Sequence, residues 1–205
     1  MLFIIIVTTL IISIRGFKNI SFFNKYKFNI RSINNGDNYR MFSSGFLHVD
    51  YNHLFFNLFT LFVFSTSILN QLGEIYYLAI YIASLYFGNY YTLKHYKNQN
   101  LYSAVGASGA VSGIVYSSIL LFPEMKLVFI FFPIPLPSYI FGVGYILYSI
   151  YGMKKDNDNI GHTAHLGGAI AGTLITILID PSIIVNQTWL VVLLIFPFLF
   201  LYERK

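Results

Sequence analysis

Seven stretches of this chain contain no Asp, Glu, Lys or Arg: Leu2 to Ile14, Tyr51 to Leu69, Ile75 to Tyr91, Gly106 to Phe122, Leu127 to Tyr151, His162 to Ile179 and Trp189 to Tyr202. Each is predominantly apolar. Lipid offers no partner to a backbone N–H or C=O, so such a run must satisfy its own backbone as a helix. About 20 residues cross a ~30 Å hydrocarbon core. Only 10% of the 205 residues are charged, and 56% are hydrophobic, whereas an average globular domain is about 25% charged. Too little polar surface remains to cover a water-soluble fold. The chain reads as an all-α polytopic membrane protein, one domain over residues 1–205. The formal charge of +5 lies mostly in loops, which suits contact with anionic head groups of the lipid bilayer. No basic helix stands clear of the membrane, so nucleic acid is not expected as a partner. The absence of cysteine excludes disulfides, thiolate catalysis and cysteine-zinc sites.

The order of the spans sets the expected architecture. Leu2 to Ile14 has no basic leader and no small-residue cleavage site, so it reads as a retained first helix, stopped by Arg15. The loop Arg15 to Val49 mixes Lys18, Lys25, Lys27, Arg31 and Arg40 with Phe17, Phe22, Phe23, Tyr26, Phe28 and Phe42. A disordered linker would be poor in aromatics, so a folded loop lying in the interface is expected. Asp50 or Asn52 caps the second span, and Leu69 to Glu74 forms a tight turn into the third. Pro133, Pro135 and Pro137 break or kink the fifth, whose regular helix should start near Ser138. The sixth closes at Asp180-Pro181. The run Trp189 to Tyr202 is short for a span; it either crosses as a seventh helix or lies flat, and crossing is favoured.

Isolated polar side chains inside such spans mark function more often than packing. Ser108 lies in Gly106-Ala107-Ser108-Gly109, and His165 in Ala164-His165-Leu166-Gly167-Gly168, each at the mouth of an apolar helix. The acidic residues Asp37, Asp50, Glu74, Glu124, Asp156, Asp158, Asp180 and Glu203 all lie in loops or at span ends, and no lysine is embedded. Histidine is the base left for an embedded serine, which implies a Ser-His dyad without a carboxylate. At the amino end of a helix, Ser108 has free backbone N–H groups that can hold an oxyanion. His53 and Asn57, four apart on one helix face, can add side-chain donors. Gly106, Gly109 and Gly113 on one helix, and Gly168 and Gly172 on the other, would allow the close approach that brings His165 to Ser108. The bland alternatives are interhelical hydrogen bonds for His53 and Asn57, and plain glycine packing beside an incidental serine.

Together these residues resemble the rhomboid family of intramembrane serine proteases. Three motifs carry the resemblance, over about Tyr39 to Gly172: His48-x4-His53-x3-Asn57, Gly106-Ala107-Ser108-Gly109 and Ala164-His165-Leu166-Gly167-Gly168-x3-Gly172. The resemblance implies a six-helix bundle, here with a possible seventh carboxyl-terminal helix. It implies Ser108 as nucleophile, His165 as general base and acid, and an oxyanion hole of His53, Asn57 and the Ser108 N–H. His48, Gly106, Gly109, Gly168 and Gly172 would support the site. Tyr39-Arg40 stands where the family has a Trp-Arg pair, so Arg40 joins the supporting set. Many members place an aromatic residue four after the serine, stacked on the catalytic histidine. This chain has Ser112 there, and Tyr116, one turn further, is the substitute on the same helix. His162 matches no catalytic position.

The implied substrates are single-pass transmembrane proteins, cut near the membrane surface, with no cofactor and no metal. The implied location is a bacterial-type cell membrane, with the active site facing the extracytosolic side. Positive-inside counting points the other way, because the loop then placed outside carries Arg15, Lys18, Lys25, Lys27, Arg31 and Arg40. The resemblance is preferred, since that loop can fold onto the membrane as a unit. The alternative within the family is a non-catalytic binder of membrane proteins. A zinc hydrolase built on His53, His162 and His165 lacks an HExxH motif and an embedded carboxylate. A transporter would explain embedded polar residues but not the pairing of the serine and histidine motifs.

Overall fold

The computed structural model describes residues 1–129, 132–155, 158 and 160–202. Asp156 and Glu203, which entered the sequence reading, lie outside the described residues. Helix α1 (Leu2–Lys18) runs one turn beyond the expected stop at Arg15 and ends at Asn19. The side chain of Asn19 then accepts from Phe22 N–H and starts α2 (Ile20–Tyr26). Strand β1 (Phe28–Asn29), α3 (Ile30–Asn34) and α4 (Arg40–Ser43) complete the loop. It is folded, as its aromatics suggested. Its anchor is the buried Arg40, whose Nε donates to Asp37 at 3.0 Å and whose Nη1 donates to the carbonyls of Asn24 and Lys27, both at 2.9 Å.

Helix α5 (Tyr51–His95) contains the second and third spans. Asp50 is its cap, accepting from His53 N–H at 2.7 Å. The chain reverses at Gly73, where φ is 81°, a left-handed value that glycine adopts without a Cβ penalty. The Ser65 hydroxyl donates to Tyr77 Oη at 2.9 Å. Twelve residues of straight helix would separate the two by about 18 Å, so the halves lie side by side as a hairpin. The expected turn from Leu69 to Glu74 is this reversal.

Strand β2 (Ser103–Ala104) pairs antiparallel with β1, Phe28 opposite Ala104. It ties the amino-terminal loop to the segment that enters α6 (Ser108–Leu121). Every residue of α6 from Gly109 to Leu120 is buried. A helix apolar on all sides is one surrounded by others, and α6 is the central post. Next come β3 (Lys126–Phe129) and β4 (Phe132–Pro137), an antiparallel hairpin with Leu127 opposite Leu136. The prolines break the span rather than kink it: three at alternate positions remove helical donors and suit extended backbone. Helix α7 (Ser138–Lys155) begins where the sequence suggested. Helix α8 (His162–Ile179) coincides with the expected sixth span. The last apolar run forms α9 (Ser182–Asn186), α10 (Thr188–Ile195) and a 3-10 segment, Phe196–Tyr202. Two of the described helices, Tyr51–His95 and His162–Ile179, are long and apolar enough to cross a membrane, and Ser108–Leu121 and Thr188–Leu199 are shorter apolar helices.

Candidate active site

Glycine brings α6 and α8 into backbone contact. A Cβ on Gly168 would run into the Gly109 backbone, and one on Gly172 into Gly113. At the mouth of the same seam, a Cβ on Gly109 would sit 3.2 Å from the Ala164 carbonyl oxygen. Ala164 precedes His165 and Gly109 follows Ser108. The seam therefore packs the residue after Ser108 against the residue before His165 at one end of the bundle. Ser108 is half-buried and opens α6, while His165 is buried in the first turn of α8. Among the described residues no hydrogen bond joins them, and His165 Nδ1 has no protein partner. Catalytic contacts are often loose without substrate. The first helical bond of α6 runs from Val111 N–H to the Ala107 carbonyl at 2.9 Å. The N–H groups of Ser108, Gly109 and Ala110 come before it, and helix ends leave such donors free.

His53 closes the site from α5. A Cβ on Gly106 would lie 2.8 Å from the His53 ring, and 3.8 Å from Ser108 Oγ. Gly106 adopts φ 131°, so a side chain there would be strained as well as crowded. Asn57 is buried one turn below, and its amide donates to the His53 carbonyl at 2.9 Å. One of its two N–H donors is thus used within its own helix, which leaves the other.

His48 is fully buried, and its proton can be assigned by counting donors. Ser13 Oγ donates its single proton to the Phe46 carbonyl at 2.9 Å. The contact of 2.9 Å between Ser13 Oγ and His48 Nδ1 then requires Nδ1–H to be the donor. His48 Nε2 is left as an acceptor, 3.4 Å from the Ala107 N–H. The loop before Ser108 is therefore held by α1 through Ser13 and His48. A second tie runs through Ser44, whose carbonyl accepts from Gly106 N–H at 3.0 Å and whose Oγ accepts from Asn89 at 3.1 Å. Neither Ser13 nor Asn89 could be singled out from sequence, since each lies in a different helix from its partner.

The aromatic ring on His165 comes from a helix that sequence reasoning did not consider. Tyr145 of α7 stacks on His165 with centroids 5.4 Å apart and planes at 27°. Tyr116 is corrected as the substitute: its hydroxyl donates to the Gly142 carbonyl. Ser112 donates to the Ser108 carbonyl at 2.8 Å and lies 3.4 Å from the Tyr145 hydroxyl. With the one Ser112 proton taken, Tyr145 is the donor in that contact. His162 also stands closer to the site than expected, its ring edge-on to His165 at 6.0 Å and to Tyr148 at 5.1 Å. His162 Nε2 contacts Asp158 at 3.1 Å. That hydrogen bond holds the exposed Asp158 carboxyl below the usual carboxylate range. Asp158 is thus bonded to His162, not to His165.

Two helices long and apolar enough to cross a membrane, with a serine, histidines and an asparagine towards one end, define an α-helical protein of membrane character with a polar site. Residues 35–182 match the Rhomboid domain family. The chain belongs to the rhomboid family. It is 30% identical over 166 residues to RHOMBOID-like protein 12, mitochondrial, of Arabidopsis thaliana, covering 74% of this chain and 49% of that protein. It is 29% identical over 134 residues to Rhomboid protein 1, mitochondrial, of Saccharomyces cerevisiae, covering 64% and 39%. With Rhomboid protease AarA of Providencia stuartii it shares 32% identity over 160 residues, covering 69% and 56%. The chain spans about half the length of these relatives or less.

Proposed function

We propose that this protein is an intramembrane serine endopeptidase that cleaves transmembrane segments of single-pass membrane proteins with a Ser108-His165 dyad. The observation that supports the reading is the packing of Gly109 against Ala164, the chain neighbours of a serine that opens α6 and of a histidine in the first turn of α8. His165 takes the Ser108 proton as Oγ attacks the scissile carbonyl. The oxyanion is held by the Ser108 N–H, with His53 and Asn57 as further donors. His165 then protonates the leaving amine, and water, deprotonated by His165, hydrolyses the acyl-enzyme. No cofactor is needed. The proposed membrane domain has six spans, α1, the two halves of α5, α6, α7 and α8, with α10 leading a seventh.

The deciding experiment incubates the purified protein with a panel of transmembrane segments, with Ser108→Ala as control. Cleavage by the wild type alone supports the proposal; equal cleavage by Ser108→Ala ends it. A serine-directed activity probe separates the protease from a non-catalytic binder, which would not react. A chelator should leave cleavage unchanged, and inhibition reversed by zinc would favour a metal enzyme.

We also propose that the site faces the extracytosolic side of a bacterial-type cell membrane. The chain has no native cysteine, so Gln99→Cys and Glu74→Cys can be labelled singly in intact cells with an impermeant maleimide. Gln99→Cys should label and Glu74→Cys should stay protected; the reverse pattern inverts the orientation.

A further inference from the structure

The stacking of Tyr145 on His165 is the contact that the family resemblance would have drawn from α6. There the position four after Ser108 holds Ser112, buried, with its own proton bonded to the Ser108 carbonyl. The ring arrives instead from α7, and three contacts fix it. One face lies against His165. Phe141, one turn earlier on α7, stacks against Tyr145 with centroids 5.9 Å apart and planes at 18°. The Tyr145 hydroxyl reaches Ser112 Oγ. His165 has few other constraints, since its Nδ1 has no protein partner among the described residues and Asp158 is engaged by His162. A triad carboxylate normally holds the histidine in its working orientation. Here a flat ring is the group placed to do so.

We infer that Tyr145 is the positioning residue for His165: its ring, delivered by α7, holds the imidazole in the orientation that reaches Ser108. The inference rests on the serine-protease reading above. A second consequence concerns α7. The nucleophile and the base are locked together by backbone contact between α6 and α8, but the group that orients the base is on a third helix. Seating of α7, fastened to α6 by the Tyr116 hydroxyl on the Gly142 carbonyl, thereby becomes a condition for a competent dyad.

The test compares Tyr145→Leu with Tyr145→Phe in the full-length protein. A fluorophosphonate probe reports the Ser-His pair without needing a substrate helix, and cleavage of a transmembrane substrate gives kcat and KM. Leu fills the space without a flat ring. It should lower probe labelling and kcat by roughly tenfold to a hundredfold, as misplacement of a catalytic group does. KM should stay within about threefold, since ground-state binding is untouched. Tyr145→Phe keeps the ring and should recover most of the rate. Should Tyr145→Leu shift the thermal unfolding midpoint, Tyr145→Met, unbranched and adaptable, takes its place with the same two readouts. An active wild type with an equally active Leu or Met variant overturns this inference alone. Equal losses in the Phe and Leu variants assign the effect to the hydroxyl and overturn the stacking role. A wild type inert to both probe and substrate overturns the protease reading, and this inference with it.

Discussion

Helix α6 has two very different flanks. Towards α8 it presents Gly109 and Gly113, against Gly168 and Gly172, with backbone on backbone. Towards α7 it presents side chains, Tyr116 reaching the Gly142 carbonyl and Ser112 meeting Tyr145. At these glycine pairs the first flank has no side chain that can rotate to absorb a shift, so its geometry there is fixed to the accuracy of packed main chain. The second is built from side chains that can swing. A Cβ on Gly142 of α7 would meet the Ile119 and Tyr116 side chains at 3.0 and 3.7 Å, whereas one on Gly168 of α8 would meet backbone. The residues proposed for bond-making sit on the rigid flank, and the ring proposed to orient the base sits on the adjustable one.

If the rigid flank holds the chemistry, the largest effects belong there. Ser108→Ala and His165→Ala should each remove all detectable cleavage while leaving the thermal unfolding midpoint close to wild type. Residual turnover by either, measured with a purified transmembrane substrate, would break the assignment. One step smaller, His53→Ala and Asn57→Ala should slow kcat by about 10²–10³, the usual cost of one oxyanion donor. Wild-type rates in both variants would remove these residues from the oxyanion hole.

Gly168→Val sharpens the contrast in stability. Overpacking a close seam costs about 1–3 kcal/mol, and here the colliding atoms are backbone, which cannot turn aside. A lower unfolding midpoint in detergent, with loss of probe labelling, is the expected result. Gly144→Ala, on the exposed face of α7, is the control. It adds a methyl to open space and should be neutral, or stabilise by up to about 1 kcal/mol through helix propensity. Equal destabilisation by the two glycine substitutions would show that the α6–α8 seam is no less tolerant than an open helix surface.

The candidate site was legible in sequence to the extent that it rests on motifs local in the chain. Ser108, His165, His53 and Asn57 are conspicuous because a polar side chain inside an uncharged run is costly in lipid. Their partners were not legible. Ser13 holds His48 from α1, Asn89 holds Ser44 from the second half of α5, and Tyr145 covers His165 from α7. Tyr145 is one of 17 tyrosines, and nothing in its neighbourhood sets it apart. Tyr116 was the natural choice on the helix of Ser108, but its hydroxyl is taken by Gly142 on the neighbouring helix.

The sequence by itself determined the solvent. Seven uncharged apolar runs cannot be covered by the polar residues left over, and in lipid an unpaired backbone must close on itself as helix. It also determined the helix ends where local chemistry decides them, at the Asp50 cap, the Gly73 reversal, the proline-rich stretch before Ser138 and the His162 to Ile179 span. Tertiary structure alone decided which flank of α6 meets which helix. That choice depends on contacts between residues far apart in the chain, whose free energies come from shape and not from composition. It paired the proline-rich stretch with Lys126–Phe129 as antiparallel strands, bonded Asp158 to His162 instead of His165, and brought the ring on the candidate base from α7. A one-dimensional pattern records which residues are polar or small; it does not record which of them are neighbours, and the orientation of His165 is set by a neighbour.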